Sequence, residues 1–415
     1  MTKHLSLDEA QRVIGAAVTT LGSETVPLEQ SLGRVLAEDI FANRDLPPYD
    51  VSAMDGFAVR SADVRQVPVT LRVIDDIKAG DQPAQTVLDG QCARIMTGAP
   101  LPPGADAVIR VEDTQVVSSE AVQINQTVRS GHDIRLRGES MRGGEVVLTA
   151  PCEITPGVVG VLATVKAAQV RVFRRPRLAI LSTGNELEGI GEPVDPGKIP
   201  DSNTYALMAQ VQALGIQPAL LGIARDDPDE LEAYLRRGLE YDVLLVSGGT
   251  SVGVHDYVRP TLEKLGVTMK FWRVAIKPGH PLAFGCTDHT RVFGLPGNPV
   301  SSMVCVEEFV LPALRQMMGN LCRYRRTVMA RLAHAVPFRP GRTEFIRVRL
   351  TRDASGYLAH STGTQSSGVL LSMAQADGLL VVPADSCGLA ENEPVVVQLL
   401  DGAAFQADVG FRGNV

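Results

Sequence analysis

The chain has 415 residues, 45% of them hydrophobic and 21% charged, with a formal net charge of −7. That length suits about three domains of roughly 150 residues each, with an ordinary globular composition. The acidic balance argues against a nucleic-acid-binding or membrane surface, and no apolar run reaches the roughly 18 residues of a spanning helix.

The N-terminal stretch "MTKHLSLDEAQRVI" is polar and then amphipathic, without the apolar core of a signal peptide. Cys92, Cys152, Cys286, Cys305, Cys322 and Cys387 are scattered and form no CxxC pair, so neither a zinc site nor a disulfide framework is signalled. A cytoplasmic protein with reduced thiols is the expectation. Residues 5–22 read as a helix, with Ser6 as N-cap, Glu9 three residues on and Gly22 as the stop. Short β-like runs such as "VTLRVID", "CARIMTG" and "DAVIRVEDT" follow, separated by Gly, Pro and Asp turns. "ITPGVVGVLATVKAAQVRVFRR" then predicts a helix capped by Thr155 with Pro156 in its first turn, followed by a strand.

From Pro176 the texture alternates. "RLAILST", "IQPALLGIA", "YDVLLVSGG" and "RVFGLPGNP" read as strands. "DSNTYALMAQVQALG", "DPDELEAYLRRGLE", "YVRPTLEKLG" and the long "VSSMVCVEEFVLPALRQMMG" read as helices. Alternation of this kind predicts a parallel sheet covered by helices. After about residue 326 the pattern is β again. The expected organisation is an arm from residues 1–44 and 148–175, an inserted β-rich domain at 45–147, a central parallel α/β domain at 176–326 and a C-terminal β domain at 327–415.

Three polar loops follow the α/β strands: "STGNEL", "SGGTSVGVHD" and "LPGNPVSS". Ligands of open parallel sheets bind beyond the carboxyl ends of the strands. Small residues there let backbone N–H groups approach an anion. Each loop alone is equally a tight turn; three in one α/β unit point to an anion or phosphate site. They match neither a P-loop nor the dinucleotide fingerprint. Glu186, Asp226, Asp227 and Asp256 fall on the same side, where Mg²⁺ can bridge carboxylates and phosphate oxygens. Asp226 and Asp227 equally suit a helix N-cap. Arg273 and Lys277, four apart in "FWRVAIKPG", share a face if that stretch is extended; the plain alternative is a solvated edge strand. Trp272, the single tryptophan, reads as a packing residue.

The segments "PPYDVSAMDGFAVR", "MTGAPLPPGADAVIRVEDT", "LSTGNEL", "DSNTYAL", "SGGTSVGVHDY", "AIKPGHPLAFG" and "GLPGNPVSS" together resemble the molybdopterin molybdenumtransferase (MoeA) family, which includes the enzymatic domain of gephyrin. The resemblance runs in the family's order along essentially the whole chain. It implies that the central domain binds molybdopterin. The implied enzyme activity inserts molybdenum from molybdate into adenylyl-molybdopterin and releases AMP, with Mg²⁺ as cofactor. It also implies a homodimer whose partner subunit completes the cleft.

Catalytic positions carried over are Asp55, Thr97, Glu186, Asp226 and Asp256, the last three also as metal ligands. Substrate-binding positions are Thr183, Gly184, Ser247, Gly248, Gly249, Ser251, Gly253, Arg273, Lys277, Pro296, Pro299, Ser366 and Ser367. A molybdopterin adenylyltransferase and molybdoenzyme chaperones are the candidate protein partners; no nucleic acid or membrane is expected. The chain departs from the family at His280, often lysine, and at Ser140, often acidic. His280 would leave its position mostly neutral at pH 7. Two alternative functions are a molybdopterin adenylyltransferase and a non-catalytic gephyrin-like scaffold, since fold alone does not fix function.

Overall fold

The first helix, α1 (Leu7–Ala17), starts as the sequence predicts. Ser6 Oγ accepts the Glu9 N–H at 3.2 Å, and the Glu9 carboxylate accepts the Ser6 N–H at 2.8 Å, which closes a capping box. The helix stops before Gly22, because Val18, Thr19 and Thr20 form a β-branched run that loses rotamer freedom in a helix. Leu21 N–H instead bonds the Met317 carbonyl at 2.8 Å. The computed structural model describes residues 4–249, 257–353 and 355–400. They divide into two units: one from Pro27–Leu32 and Glu38–Val170, the other from the rest of the chain.

The main sheet of the smaller unit has six strands: β1 (Gly56–Val59), β2 (Val69–Ile77), β3 (Gln91–Ile95), β4 (Ala107–Arg110), β5 (Thr114–Ser118) and β6 (Ala121–Ile124). Their order in the sheet is β4-β1-β3-β2-β6-β5, with β2 and β3 parallel and the other pairs antiparallel. Gly56 is required where β1 meets β4, since a Cβ there would lie 1.8 Å from the Ile109 carbonyl oxygen. Helix α2 (Pro156–Thr164) closes the unit, with Thr155 Oγ1 accepting the Val158 N–H at 3.4 Å.

The larger unit holds a six-stranded α/β sheet. Its strands are β7 (Leu178–Thr183), β8 (Ala219–Ala224), β9 (Val243–Ser247), β10 (Thr268–Phe271), β12 (Ala283–Cys286) and β13 (Arg291–Leu295). A two-residue strand, β11 (Ile276–Lys277), leaves it for the C-terminal domain. The order is β8-β7-β9-β13-β12-β10. The first four run parallel, as the alternating sequence predicts, but β12 runs antiparallel to both of its neighbours, β13 and β10. Only Thr287–Thr290 join β12 to β13, too short a link for the dozen or more residues of a parallel crossover.

Side-chain alternation then makes two cores. Leu178, Ile180, Val243 and Leu245 face α1, α3 (Ser202–Gln212) and α6 (Pro299–Cys305). Ala179, Leu181, Leu244 and Val246 face α4 (Pro228–Gly238) and α5 (Val258–Lys264).

The long helix expected after Pro299 is continuous but contains a π-helical segment at Val306–Val310 before α7 (Leu311–Met317). Pro312 supplies a reason. It has no N–H for the Glu308 carbonyl one turn back, and that oxygen instead accepts Gln11 Nε2 at 3.1 Å. The π segment buries Glu307 and Glu308 side by side. Glu307 pairs with Arg325 at 2.7 Å, whereas Glu308 receives only Gln398 Nε2 at 3.4 Å among the described residues. Burial, reinforced by the neighbouring Glu307 charge, pushes the Glu308 carboxyl up from 4.5 to about 8.

Between those values the folded chain holds a proton that the unfolded chain releases, so this group makes stability fall as pH rises from about 4.5 to about 8. Glu308→Gln keeps the shape and the acceptor but cannot ionise. It should raise the melting temperature by several degrees at pH 8, with little change at pH 5, in a thermal-denaturation series. Equal effects at both pH values would show that Glu308 is not held protonated.

The C-terminal domain uses β14 (Thr327–Leu332), β15 (Thr343–Asp353), β16 (Gly356–Ser361), β17 (Gly378–Val382) and β18 (Pro394–Leu399). Pairing runs β15-β16-β14-β18-β17 and returns to β15, so the sheet closes into a barrel without free edges among these strands. Ile346, Val348, Leu380 and Val397 fill it. β11 pairs in parallel with the start of β15 and joins the same sheet.

Candidate functional site

A cavity of about 430 Å³ opens beyond the carboxyl ends of β7, β9 and β13, the position expected of a ligand site in a parallel sheet. Three loops form its walls. The first leaves β7 at Thr183 and is held by Arg225, whose Nη1 donates to the carbonyls of Gly184 at 3.3 Å and Leu187 at 2.8 Å. Glu186 curls back over Gly184, where a Cβ would sit 2.3 Å from the carboxylate. The second loop leaves β9 through Gly248 (φ +89°) and Gly249 (φ +60°), both in the left-handed region. The third is Pro296-Gly297-Asn298, pinned by a hydrogen bond from Ser302 Oγ to the Pro296 carbonyl.

A buried polar relay sits behind these walls. Ser182 Oγ donates to Asp201 at 3.0 Å, and Asp201 caps α3 by accepting the Thr204 N–H at 3.1 Å. The cap fixes the first turn of α3 and with it Asn203. Asn203 Nδ2 donates to Ser247 Oγ and to the Gly297 carbonyl, both at 2.8 Å. One amide therefore ties the β9 loop to the β13 loop across the cavity floor. Thr183 Oγ1 is buried and has no hydrogen-bond partner among the described residues.

Of the residues singled out from the sequence, Thr183, Glu186, Ser247, Gly248, Gly249 and Pro296 line this one cavity. Gly184 lies in its first wall, and Pro299 begins α6 just after its third. Ser251, Gly253 and Asp256 lie outside the described residues. The two readings of the acidic pair separate: Asp227 caps α4, accepting the N–H groups of Asp229 at 3.1 Å and Glu230 at 2.9 Å. Asp226 does not cap; its N–H bonds the Asn185 side chain at 3.1 Å, which places it beside the first loop.

Asp55 and Thr97 come together in the smaller unit, where one Asp55 oxygen accepts the Thr97 N–H at 2.7 Å and its hydroxyl at 2.8 Å. These bonds hold the Asp55 carboxyl below its usual range. Ser140, in the same unit, donates its N–H to the Leu46 carbonyl at 2.9 Å.

Arg273 and Lys277 do not lie on one continuous strand, because β10 ends at Phe271 and β11 spans only Ile276–Lys277. Lys277 pairs with Glu344 at 2.9 Å. Trp272 packs under Arg259, whose guanidinium carbon lies 5.3 Å from the ring centre. Ser367 accepts the Val300 N–H at 3.1 Å and Ser366 accepts Arg347 Nη2 at 3.4 Å, both through their carbonyls. Burial, followed by the nearby His4, Arg342 and Arg273, holds the His280 pKa below its ordinary value, while its bond to the Val274 carbonyl acts the other way. His280 therefore carries no fixed charge at neutral pH.

The cavity also contains residues that sequence reasoning did not single out: Leu187, Ile199, Asn203, Pro281, Gly297, Asn298 and Ser301. Asn203 was visible inside "DSNTYAL", two residues after a capping aspartate; read only as helix sequence, its role as a brace was lost.

Chemically, the walls offer backbone groups, hydroxyls and an amide with little bulk, which suits a polar or phosphorylated ligand. Glu186 adds hard carboxylate oxygens to the lining, and Asp226 lies beside the first loop. Among the described residues no three His, Cys, Asp or Glu side chains gather into a closed metal site. Mg²⁺ commonly takes one or two protein carboxylates and fills its shell with water and substrate phosphate, so this donor set fits it.

Family comparisons agree along the chain. Residues 5–165 match the MoeA N-terminal region (domain I and II), 179–316 a probable molybdopterin binding domain, and 329–400 the MoeA C-terminal region (domain IV). The chain is 33% identical over 408 residues to a molybdopterin molybdenumtransferase of Staphylococcus aureus, covering 96% of each. A solved structure of the molybdopterin biosynthesis MoeA protein of Pyrococcus horikoshii shares 34% identity and a TM-score of 0.81, over 96% of this chain and 99% of that one. A second solved structure, of a molybdopterin biosynthesis moeA protein from Pyrococcus horikoshii OT3, gives 31% and 0.83, over 96% and 100%. With all three family regions in order and a relative at this identity over nearly its whole length, the chain belongs to the MoeA family.

Proposed function

We propose that the protein is a molybdopterin molybdenumtransferase: it inserts molybdenum from molybdate into adenylyl-molybdopterin, releasing AMP and forming molybdenum cofactor. The observation that carries this reading is the cavity at the ends of β7, β9 and β13, lined by Thr183, Glu186, Ser247, Gly248, Gly249 and Pro296 in a chain of this family. The glycine turn after β9 admits a phosphate to the backbone, and Asn203 keeps the two flanking loops at a fixed spacing. Lys277 offers an ammonium to an oxyanion. Glu186 and Asp226, with Asp256, are the residues that would hold Mg²⁺, which when bound polarises the phosphoanhydride. Hydrolysis of that anhydride frees AMP while the dithiolene sulfurs receive the metal.

The test is to incubate the purified protein with adenylyl-molybdopterin and molybdate, then measure AMP and active cofactor. AMP and cofactor should appear together and stop on chelation of divalent cations. Formation of adenylyl-molybdopterin from molybdopterin and ATP would instead support an adenylyltransferase; inactivity in both assays would support a scaffold. A cytoplasmic homodimer is part of the proposal, and light scattering should give about twice the 44.4 kDa chain mass. A molybdopterin adenylyltransferase upstream and molybdoenzyme chaperones downstream are the protein partners it implies.

A further inference from the structure

We infer that Glu344 is an internal counter-ion for Lys277, a positioning residue through which the C-terminal barrel sets the affinity of the site for oxyanions. The inference rests on the reading above that Lys277 meets an anion.

Lys277 and Glu344 stand directly opposite each other in the parallel β11–β15 pair, and Thr343 N–H bonds the Ala275 carbonyl at 3.0 Å. Their charged groups meet at 2.9 Å. The two partners are not alike. Glu344 is 17% exposed and sits on a strand that is paired on its other side with β17, so its carboxylate is fixed. The Lys277 side chain is 54% exposed, so its ammonium faces outward while one of its three donors is occupied.

An anion approaching this ammonium meets a dipole rather than a full positive charge. It must supply enough attraction to compete with a carboxylate already in place. A dianion does so better than a monoanion of the same shape, because Coulomb energy scales with charge. Arg342 lies two residues before Glu344 and Arg273 four before Lys277 in sequence, and both act electrostatically on His280. Glu344 thus lowers the affinity of the site for anions, and most for those of the highest charge.

The experiment compares the parent with Glu344→Gln, Glu344→Asp and Lys277→Ala in the insertion assay. Molybdate is varied, and perrhenate, a tetrahedral monoanion, is the competitor. Glu344→Gln should lower the half-saturating molybdate concentration about threefold to fivefold, the span of a partly exposed ion pair. It should strengthen molybdate use by more than it strengthens perrhenate inhibition, because the repulsion removed scales with the charge of the anion. Glu344→Asp retains the charge and should restore most of the parent behaviour. A Glu344→Gln protein that melts like the parent but needs more molybdate would show Glu344 to be a strut that aims the lysine, overturning the inference. An unchanged molybdate dependence would overturn it as well. If Lys277→Ala alters neither molybdate dependence nor perrhenate inhibition, the underlying placement of the anion at Lys277 fails, and the inference falls with it for that separate reason.

Discussion

Gly248→Ala is expected to lower kcat/KM for adenylyl-molybdopterin by about a hundredfold or more. The residue has φ +89°, where a side chain costs roughly 1–2 kcal/mol. A Cβ there would also lie 2.6 Å from the Thr183 carbonyl oxygen, a backbone atom of the neighbouring wall that cannot turn aside. Relief of such overpacking typically costs a further ~1–3 kcal/mol, and each ~1.4 kcal/mol is a factor of ten. The loop or the first wall must therefore move, and the cavity narrows where the substrate phosphate would enter.

Gly249→Ala is the informative control. Its φ of +60° is less extreme, and its nearest obstruction is Val258 Cγ2 at 2.4 Å, the end of a side chain. It should lose activity by roughly a tenth as much. Steady-state kinetics on both variants, with melting curves to confirm folding, settle the comparison. A Gly248→Ala enzyme with parental kinetics would show that this turn does not meet substrate.

The second large effect is expected at Asn203. Asn203→Asp replaces the amide donor by a carboxylate oxygen, which would face the Gly297 carbonyl at the present 2.8 Å. Two acceptors without a proton between them repel, and losing the hydrogen bonds of this partly exposed amide costs about 1 kcal/mol each. The loops after β9 and β13 should separate, with kcat/KM falling about tenfold to a hundredfold. Asn203→Ala only deletes the brace and should fall less. Equal losses in Asp and Ala would mean that the amide fills space and does not tie the loops; no loss in either would remove Asn203 from the site.

Much of this architecture is readable from local sequence. Ser6, Thr155, Asp201 and Asp227 each precede a helix and do cap it, because the signal and the hydrogen bond lie within four residues. β7, β9 and β13 are apolar runs ending in glycine or small polar residues, which both predicts the strands and marks their ligand-facing ends. What escaped depends on distant contacts. The antiparallel edge follows from a short connection between β12 and β13, which apolar periodicity does not report. The π segment follows from Pro312 together with Gln11, which lies at the other end of the chain. Lys277 was visible as a cation, but its partner Glu344 is brought to it only by a strand pairing between domains of the larger unit. Even spacing placed Arg273 and Lys277 on one face, an inference that needed a strand that breaks at Phe271.

The central claim is that the cavity beyond β7, β9 and β13 holds the molybdopterin phosphate. Hydrogen–deuterium exchange of the purified protein with and without adenylyl-molybdopterin tests it most directly, because it reports position independently of turnover. Backbone protection on binding should concentrate at 183–187, 247–249 and 296–301, and be lost in Gly248→Ala. Saturable binding with no protection in those three segments, or protection confined to segments of the smaller unit, would contradict the account.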